Sequence, residues 1–345
     1  MSQTIETLAR LFRRFGEREC VPASPLYGRL AVGISDDAEL LALAATARAR
    51  PVPNLFLAAA HALLLSDSAH PLAAFYPDIA RDSPPAQGDP FPQFRAFCLQ
   101  HADLIEQLLA TRRVQTNEVR RCACLLPAFA IAARRLGDRP LSLVEIGASA
   151  GLNLLWDHYH VDYGAAGQCG DPNTLVRLAC ELRGDCTPPL PTHMPEIATR
   201  VGLDLNPIDL RDSDAALWLR ALIWPEQLDR AALLAQAIEA ARDHPPPLLA
   251  GDAIELLPGV LANVPAESGL CIYHSFTLNQ FPAEARKRLA DLLAEHAAKR
   301  DIALIALEWR EPHAALDLSL FLKGARADQR LAHCDAHGSW MEWLA

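Results

Sequence analysis

The feature that most limits what this chain can fold into is a change of hydrophobic period at Pro140. Before it, apolar residues recur three and four apart in "ETLARLFRRF", "DAELLALAATARA", "NLFLAAAHALLL", "FPQFRAFCLQHADLIEQLLA" and "NEVRRCACLLPAFAIAARRL". That spacing puts one apolar face on each of a series of helices. Proline-rich breaks at Pro22–Pro25, Pro51–Pro53 and Ser83–Pro92 separate them. After Pro140 come short apolar runs, "LSLVEI", "TRVGLDL", "PLLAGDA", "GLCIYHSF" and "IALIALEW", suited to strands buried on both faces. Helical stretches such as "DAALWLRALIW", "DRAALLAQAIEAARDH" and "PAEARKRLADLLAEHAAKR" lie between most of them. Strands alternating with helices predict an α/β fold with a doubly wound, mostly parallel sheet. "LDLSLFLKG" and "DQRLAHCDAHGSWMEWL" predict an antiparallel hairpin at one edge. The chain is expected to divide into a helical N-terminal domain, residues 1–114, and a sheet domain, residues 115–345. Residues from about 161 to 197 interrupt the second. There "TLVRLACELRG" alternates like a strand, which predicts a small β insertion capped by a proline-rich loop.

Composition narrows the function classes. Of 345 residues 51% are apolar and 21% charged, enough for a well-packed core. The net charge of −10 and the lack of any basic run argue against a nucleic-acid surface, which needs clustered Lys and Arg. Nine cysteines are scattered without a C-x-x-C pair, Cys122 and Cys124 being the closest. They read as buried thiols of a reduced, cytoplasmic protein. The first residues show amphipathic helical spacing without an apolar signal core. "NLFLAAAHALLL" is about half the length of a membrane span, so no membrane association is expected.

The first strand runs into Gly147-Ala148-Ser149-Ala150-Gly151, which fits two chemistries. As G-x-S-x-G it is the nucleophile elbow of a serine hydrolase. As a glycine-rich turn it lets a nucleotide-like cofactor approach the backbone. Both need a strand, a tight turn and a helix, so context separates them. An elbow follows several strands and an oxyanion loop such as H-G-G. Here everything upstream is helical and there is no H-G-G. A triad would need Ser149 with an Asp and one of His274, His313, His333 or His337. The dinucleotide pattern G-x-G-x-x-G lacks its central glycine, and the missing G-K-[ST] excludes a P-loop.

"VEIGASAGLN" resembles the first motif of class I S-adenosylmethionine-dependent methyltransferases, an acid followed by a glycine-rich turn and a helix start. The resemblance implies a Rossmann-like methyltransferase domain with S-adenosylmethionine as methyl donor. Its glycine turn, here Gly147, Ala148, Ser149 and Gly151 with Glu145 before it, passes under the methionine part. Further acids at later strand ends bind ribose and adenine. "VGLDLN" offers Asp204, and "LLAGDAIELLP" offers Asp252 with Ala253. The long gap before the Asp204 strand departs from the superfamily pattern. The whole chain also resembles a narrower bacterial family, domain of unknown function number two-three-three-two. The matching pieces are "VQTNEVRRCACLLPAF", "EIGASAGLNLLWDHY", "GLDLNPIDL", "WLRALIWPEQ", "GDAIELLP" and "YHSFTLNQ".

The residues have their own chemistry. Asp204, just past its strand, can accept both vicinal hydroxyls of a ribose, or start a turn before Asn206-Pro207. Asp252 can hold the cofactor or cap a helix. Methyl transfer from a sulfonium chiefly needs an aligned acceptor, with a base where the acceptor carries a proton. "YHSFTLNQF" puts His274, a candidate base, and Ser275 at the pocket mouth; a satisfied strand-end histidine is the alternative. In "VQTNEV", Thr116 suits an N-cap, while Asn117 and Glu118 can fold over the cofactor's amino-acid end. His158 and His160 would share one face of a strand, but without a further spaced ligand no metal site is expected there or at His333–His337. Trp218 and Trp224 read as core residues of a helix packed on the sheet. The function these features favour is methyl transfer to a small or medium-sized acceptor. The alternatives are a scaffold that kept the fold without the chemistry, and a hydrolase using Ser149.

Overall fold

The computed structural model describes residues 4–81, 84, 86–242 and 245–344. Part of the Ser83–Pro92 break, and the last two residues of "DRAALLAQAIEAARDH", lie outside them. In chain order the helices before the first strand are α1 (Ile5–Arg14), α2 (Pro25–Ser35), α3 (Ala38–Ala44), α4 (Val52–Ser66), α5 (Phe91–Gln100), α6 (Ala102–Thr111) and α7 (Arg121–Arg135). There follow β1 (Leu141–Ile146), β2 (His160–Asp162), β3 (Gln168–Cys169), β4 (Arg177–Ala179), β5 (Glu181–Arg183) and β6 (Ile197–Asp204). The chain continues with α8 (Ser213–Ala221), α9 (Leu228–Arg242), β7 (Leu248–Ala250), α10 (Ala253–Ala262) and β8 (Gly269–Ser275). It closes with α11 (Ala283–Ala297), β9 (Ile302–Arg310), β10 (His313–Leu322), β11 (Ala325–Cys334) and β12 (Trp340–Trp343). Among the described residues no helix is long and apolar enough to cross a membrane.

Two compact units form, Met1–Thr116 with Arg211–Ala235, and Asn117–Leu210 with Gln236–Ala345. The first is helical. α2 begins at the last residue of the Pro22–Pro25 break: Ser24 caps it, its Oγ accepting from the Tyr27 N–H, and Pro25 occupies the first turn, where no N–H is needed. The run "FPQFRAFCLQHADLIEQLLA" is broken at His101 into α5 and α6. Trp218 and Trp224 belong to this unit's core rather than to the sheet domain. Trp218 donates its indole N–H to the Arg113 carbonyl at 2.8 Å.

The second unit is mixed α/β, built on a nine-stranded sheet in the order β5-β12-β11-β10-β9-β8-β1-β6-β7. The five strands from β9 to β7 are mutually parallel, and β10, β11 and β12 continue as an antiparallel meander. The expected C-terminal hairpin is therefore present, lengthened by β12 and bordered by the short parallel strand β5. β1 is the central parallel strand, and all six of its residues are buried. The chain steps from β1 to β6 and β7 on one side, then returns to β8 and β9 on the other. That makes β1/β8 a topological switch point, and ligands of open α/β sheets bind outside the carboxyl ends of strands at such a point.

Side chains alternate across the sheet. Val144, Ile146, Leu270, Ile272 and Ile302 share a core with Leu257 and Leu261 of α10 and Leu289 and Leu293 of α11. On the other face Phe129 of α7 packs edge-on against Tyr273 and stacks on Trp156, 4.4 Å between centroids.

Three local expectations are corrected. The segment after Gly151 is a 3-10 helix, Leu152–His158, with non-helical dihedrals at Leu155, rather than an α-helix. "TLVRLACELRG" is two strands in different sheets. β4 pairs with β2 in a three-stranded sheet with β3, and β5 pairs with β12, so the insertion contributes the outer strand of the main sheet. Thr116 caps nothing, because α7 begins at Arg121 and has no side-chain cap.

Candidate functional site

Three of five residues in the turn after β1 have positive φ: Gly147 at 76°, Ser149 at 55° and Gly151 at 73°. Glycine adopts this region without a Cβ penalty, whereas serine is held there by its neighbours. The Ser149 N–H donates to Asp204 Oδ2 at 2.8 Å, and the Ser149 carbonyl accepts from Ile208 N–H at 3.0 Å. Gly147 and Ala148 both donate to the Leu203 carbonyl. On the far side, Asn117 Oδ1 accepts the Leu152 N–H at 3.0 Å, so the "VQTNEV" segment does fold onto the turn. Asp204 Oδ1 also accepts from Asn206 N–H at 2.8 Å, which makes it a turn-starter and a staple for the glycine loop together. Gly251, just past β7, donates to the Asp204 carbonyl. Asp252 follows it as the N-cap of α10, accepting from Ile254 N–H at 2.8 Å, with Ala253 as the first residue of the helix.

Asn117, Gly147, Ala148, Ser149, Gly151 and Asp204 thus form one connected network, with Asp252 and Ala253 joined to it through Gly251. Ser149 Oγ is enclosed, the residue being 3% exposed, and has no hydrogen-bond partner, so no histidine serves it as a base.

Glu145 sits one layer deeper. It is 1% exposed on the α7 face, where it accepts from Tyr273 Oη at 3.1 Å and from the side chain of Asn153. Burial pushes its carboxyl well above the usual range, with the charge of Asp204 adding to the rise. Its neighbour on β8 points the other way. His274 follows Tyr273, so it lies on the α10–α11 face, and the structure separates the candidate base from Glu145 by the thickness of the sheet.

His274 is buried and its Nδ1 lies 2.7 Å from Glu308 Oε1. The same oxygen accepts the N–H groups of Thr277 and Leu278, both at 2.9 Å. Burial raises the Glu308 carboxyl, but the His274 hydrogen bond and charge and the two backbone donors outweigh it, and the net shift is below the usual range. An ionised carboxylate only accepts, so Nδ1 carries the hydrogen of this bond. Between the two groups runs the turn Ser275-Phe276-Thr277, where Phe276 has φ 54°. Arg121 at the start of α7 braces it, its guanidinium 3.9 Å from the Phe276 ring centroid and Nη1 3.3 Å from Ser275 Oγ. Thr277 then lies over Gly147: a Cβ on that glycine would fall within the threonine side chain.

Sequence reasoning missed Glu308, Thr277 and Arg121. Glu308 did leave a signal, as the single acid inside the apolar run "IALIALEW". It also missed a buried polar cluster in the helical unit. There His61 spans Ala221 O at 3.1 Å and Asp78 Oδ2 at 2.9 Å, while Tyr27 and Tyr76 keep enclosed hydroxyls without partners. Of the histidines weighed as ligands, His158 ends the 3-10 helix, His160 is on β2, His333 is on β11, and His337 faces Glu118 at 3.4 Å. No group of three or more His, Cys, Asp or Glu suited to a metal ion occurs among the described residues.

Fold and site together define a mixed α/β protein with a mostly parallel sheet and a strained glycine-rich turn at its switch point. Residues 9–343 match the model of one family, and the chain belongs to it: "Uncharacterized protein conserved in bacteria (DUF2332)". No curated protein and no solved structure matches the chain.

Proposed function

We propose that the carboxyl edge of β1, β6 and β7 binds a nucleoside cofactor, and that the protein is an S-adenosylmethionine-dependent methyltransferase acting on a small or medium-sized acceptor. In this reading the parallel half of the sheet is a class I methyltransferase-like Rossmann sheet. The observation that carries it is the placing of backbone strain. Among the described residues, the non-glycine positive-φ residues without a positive-φ glycine immediately beside them in sequence are Ser149 and Phe276, which lie in the turns after the two strands flanking the switch point. Asp138 and Lys323 each adjoin a positive-φ glycine in a tight turn. Strain kept at such a place marks a site the surrounding structure is built to hold.

The residues present fit a nucleoside cofactor in part. Ser149 Oγ is a buried hydroxyl without a partner, which a ligand at the turn would satisfy. Asp204 is half-buried at the end of β6, where its carboxylate lies beside the glycine turn and suits a ribose hydroxyl. Asn117 holds the start of the 3-10 helix against the turn and keeps its shape. Glu145 does not fit a direct contact; enclosed and bonded to Tyr273, it supports β1 and β8 from within. When bound, S-adenosylmethionine supplies the activated methyl group. The chain's own work is to bind, to orient and to exclude water. Enclosure of Glu145 equally favours a second reading, a cofactor-binding scaffold without turnover.

Calorimetry with S-adenosylhomocysteine tests this. Saturable binding that Asp204→Ala abolishes, with the variant still folded by circular dichroism, is the expected result. No heat at millimolar ligand would sink it. Binding without turnover across acceptor panels would select the scaffold, and labelling of Ser149 by a fluorophosphonate would restore the hydrolase.

A further inference from the structure

A cavity of about 630 Å³ opens on the α10–α11 face of the sheet, its lining including His274, Glu308 and arginines. Four arginines and three carboxylates line it, in a protein whose net charge is −10. Two of the arginines are already neutralised: Arg330 makes a two-pronged pair with Asp317, and Arg326 pairs with Asp328 at 2.9 Å. Arg286, at the start of α11, and Arg310, at the end of β9, have no carboxylate partner among the described residues. The cavity therefore carries uncompensated positive charge beside the His274–Glu308 pair. In that pair Glu308 Oε2 is an acceptor buried without any hydrogen-bond partner. Leaving such an acceptor unsatisfied is costly, and a donor brought by a ligand would recover that cost.

We propose that this cavity binds a small carboxylate carrying a hydroxyl or amino group, its carboxylate paired with Arg286 and Arg310 and its hydrogen donor turned to the His274–Glu308 pair. A guanidinium fork matches a carboxylate in two parallel hydrogen bonds, and the open acceptor on Glu308 calls for a donor at the other end of the same molecule. Naming this ligand the methyl acceptor rests on the cofactor reading above; its binding does not.

The test is calorimetry of the full chain with L-lactate, L-malate, L-serine and L-aspartate, with acetate as a carboxylate lacking the donor. At least one of the four is expected to bind saturably and acetate at least tenfold more weakly. The double variant Arg286→Ala/Arg310→Ala changes two exposed side chains, keeps the fold, and is expected to weaken binding at least tenfold. His274→Gln, with its fold checked by circular dichroism, is expected to reduce the preference over acetate. No saturable heat from any of the four at millimolar concentration overturns the proposal, and so does binding that the double variant leaves unchanged. Asp204→Ala is expected to leave carboxylate binding intact while removing S-adenosylhomocysteine binding, so the two readings fail separately.

Discussion

The side chain of Thr277 fills the space that a Cβ on Gly147 would need, so the turn after β1 and the turn after β8 fit together only with glycine at position 147. The Thr277 N–H meanwhile donates to Glu308, the partner of His274. One residue thus touches both the glycine turn and the histidine pair on the far side of the sheet.

Gly147→Ala should cost about 2–4 kcal/mol, combining a left-handed backbone with overpacking. Adding Thr277→Ala removes the overpacking and leaves the backbone cost, so about half the stability should return. Urea denaturation of both variants checks this. An unchanged midpoint for Gly147→Ala would show that the two turns do not meet as described.

Glu145→Gln should make stability less dependent on pH. The Glu145 carboxyl is raised in the folded chain by burial, so its favourable contribution is full below the ordinary value of 4.5 and is lost as pH rises toward the raised value. The glutamine variant should gain relative to the parent as pH increases above 4.5, and match it most closely in acid. Thermal melts across pH measure the crossing. A parent curve flat through this window would contradict the enclosure of Glu145.

Glu308 works in the opposite sense. Its carboxyl is lowered in the folded state, so the stability it contributes is present above the ordinary 4.5 and is lost as pH falls through the lowered value. Glu308→Gln should therefore lose stability near neutral pH, by about 1–3 kcal/mol, and lose less in acid. Equal loss at every pH would remove the charge from the explanation.

In the helical unit Glu226 accepts from Ser24 Oγ at 2.5 Å and from the Leu26 N–H at 2.7 Å, placing a carboxylate at the start of α2. Glu226→Ala should lower the midpoint of unfolding by an amount equal to about 1–3 kcal/mol, since two donors lose their acceptor. Ser24→Ala, which keeps the Leu26 contact but removes both the Tyr27 cap and the donor to Glu226, should cost a similar amount.

What could be read from sequence follows from where the physics is local. β1, β8 and most of β9 announce themselves as apolar runs because both their faces are covered, and the glycine turn is visible because its backbone demands the residue type. Asp204 and Asp252 were legible as strand-end acids, and the turn and cap roles weighed for them are both present. Glu145 shows the limit. A strand residue before a glycine turn looks the same in sequence whether it faces a ligand or a tyrosine on the adjacent strand, and only the register with Tyr273 decides. The break of "TLVRLACELRG" at Cys180 was hidden for a similar reason: β5 pairs with β12, more than 150 residues later, and nothing local records that partner. The separation of His274 from Glu145 follows from the alternation of β8, once Tyr273 is known to face α7.

The two outermost strands of the main sheet, β5 and β7, have only three residues each, although the strands between them reach ten. An exposed strand recruits foreign chains through its row of unpaired amides and carbonyls, and a three-residue border offers too few to hold one. At β5 the border also carries the Glu181–Arg183 ion pair, with Arg183 lying over Trp340. The last strand at each margin thus gives a foreign chain little to hold. β11, paired with β12 only through Ala332–Cys334, leaves the outer edge of its exposed first residues as the place where such a chain would have most to grip.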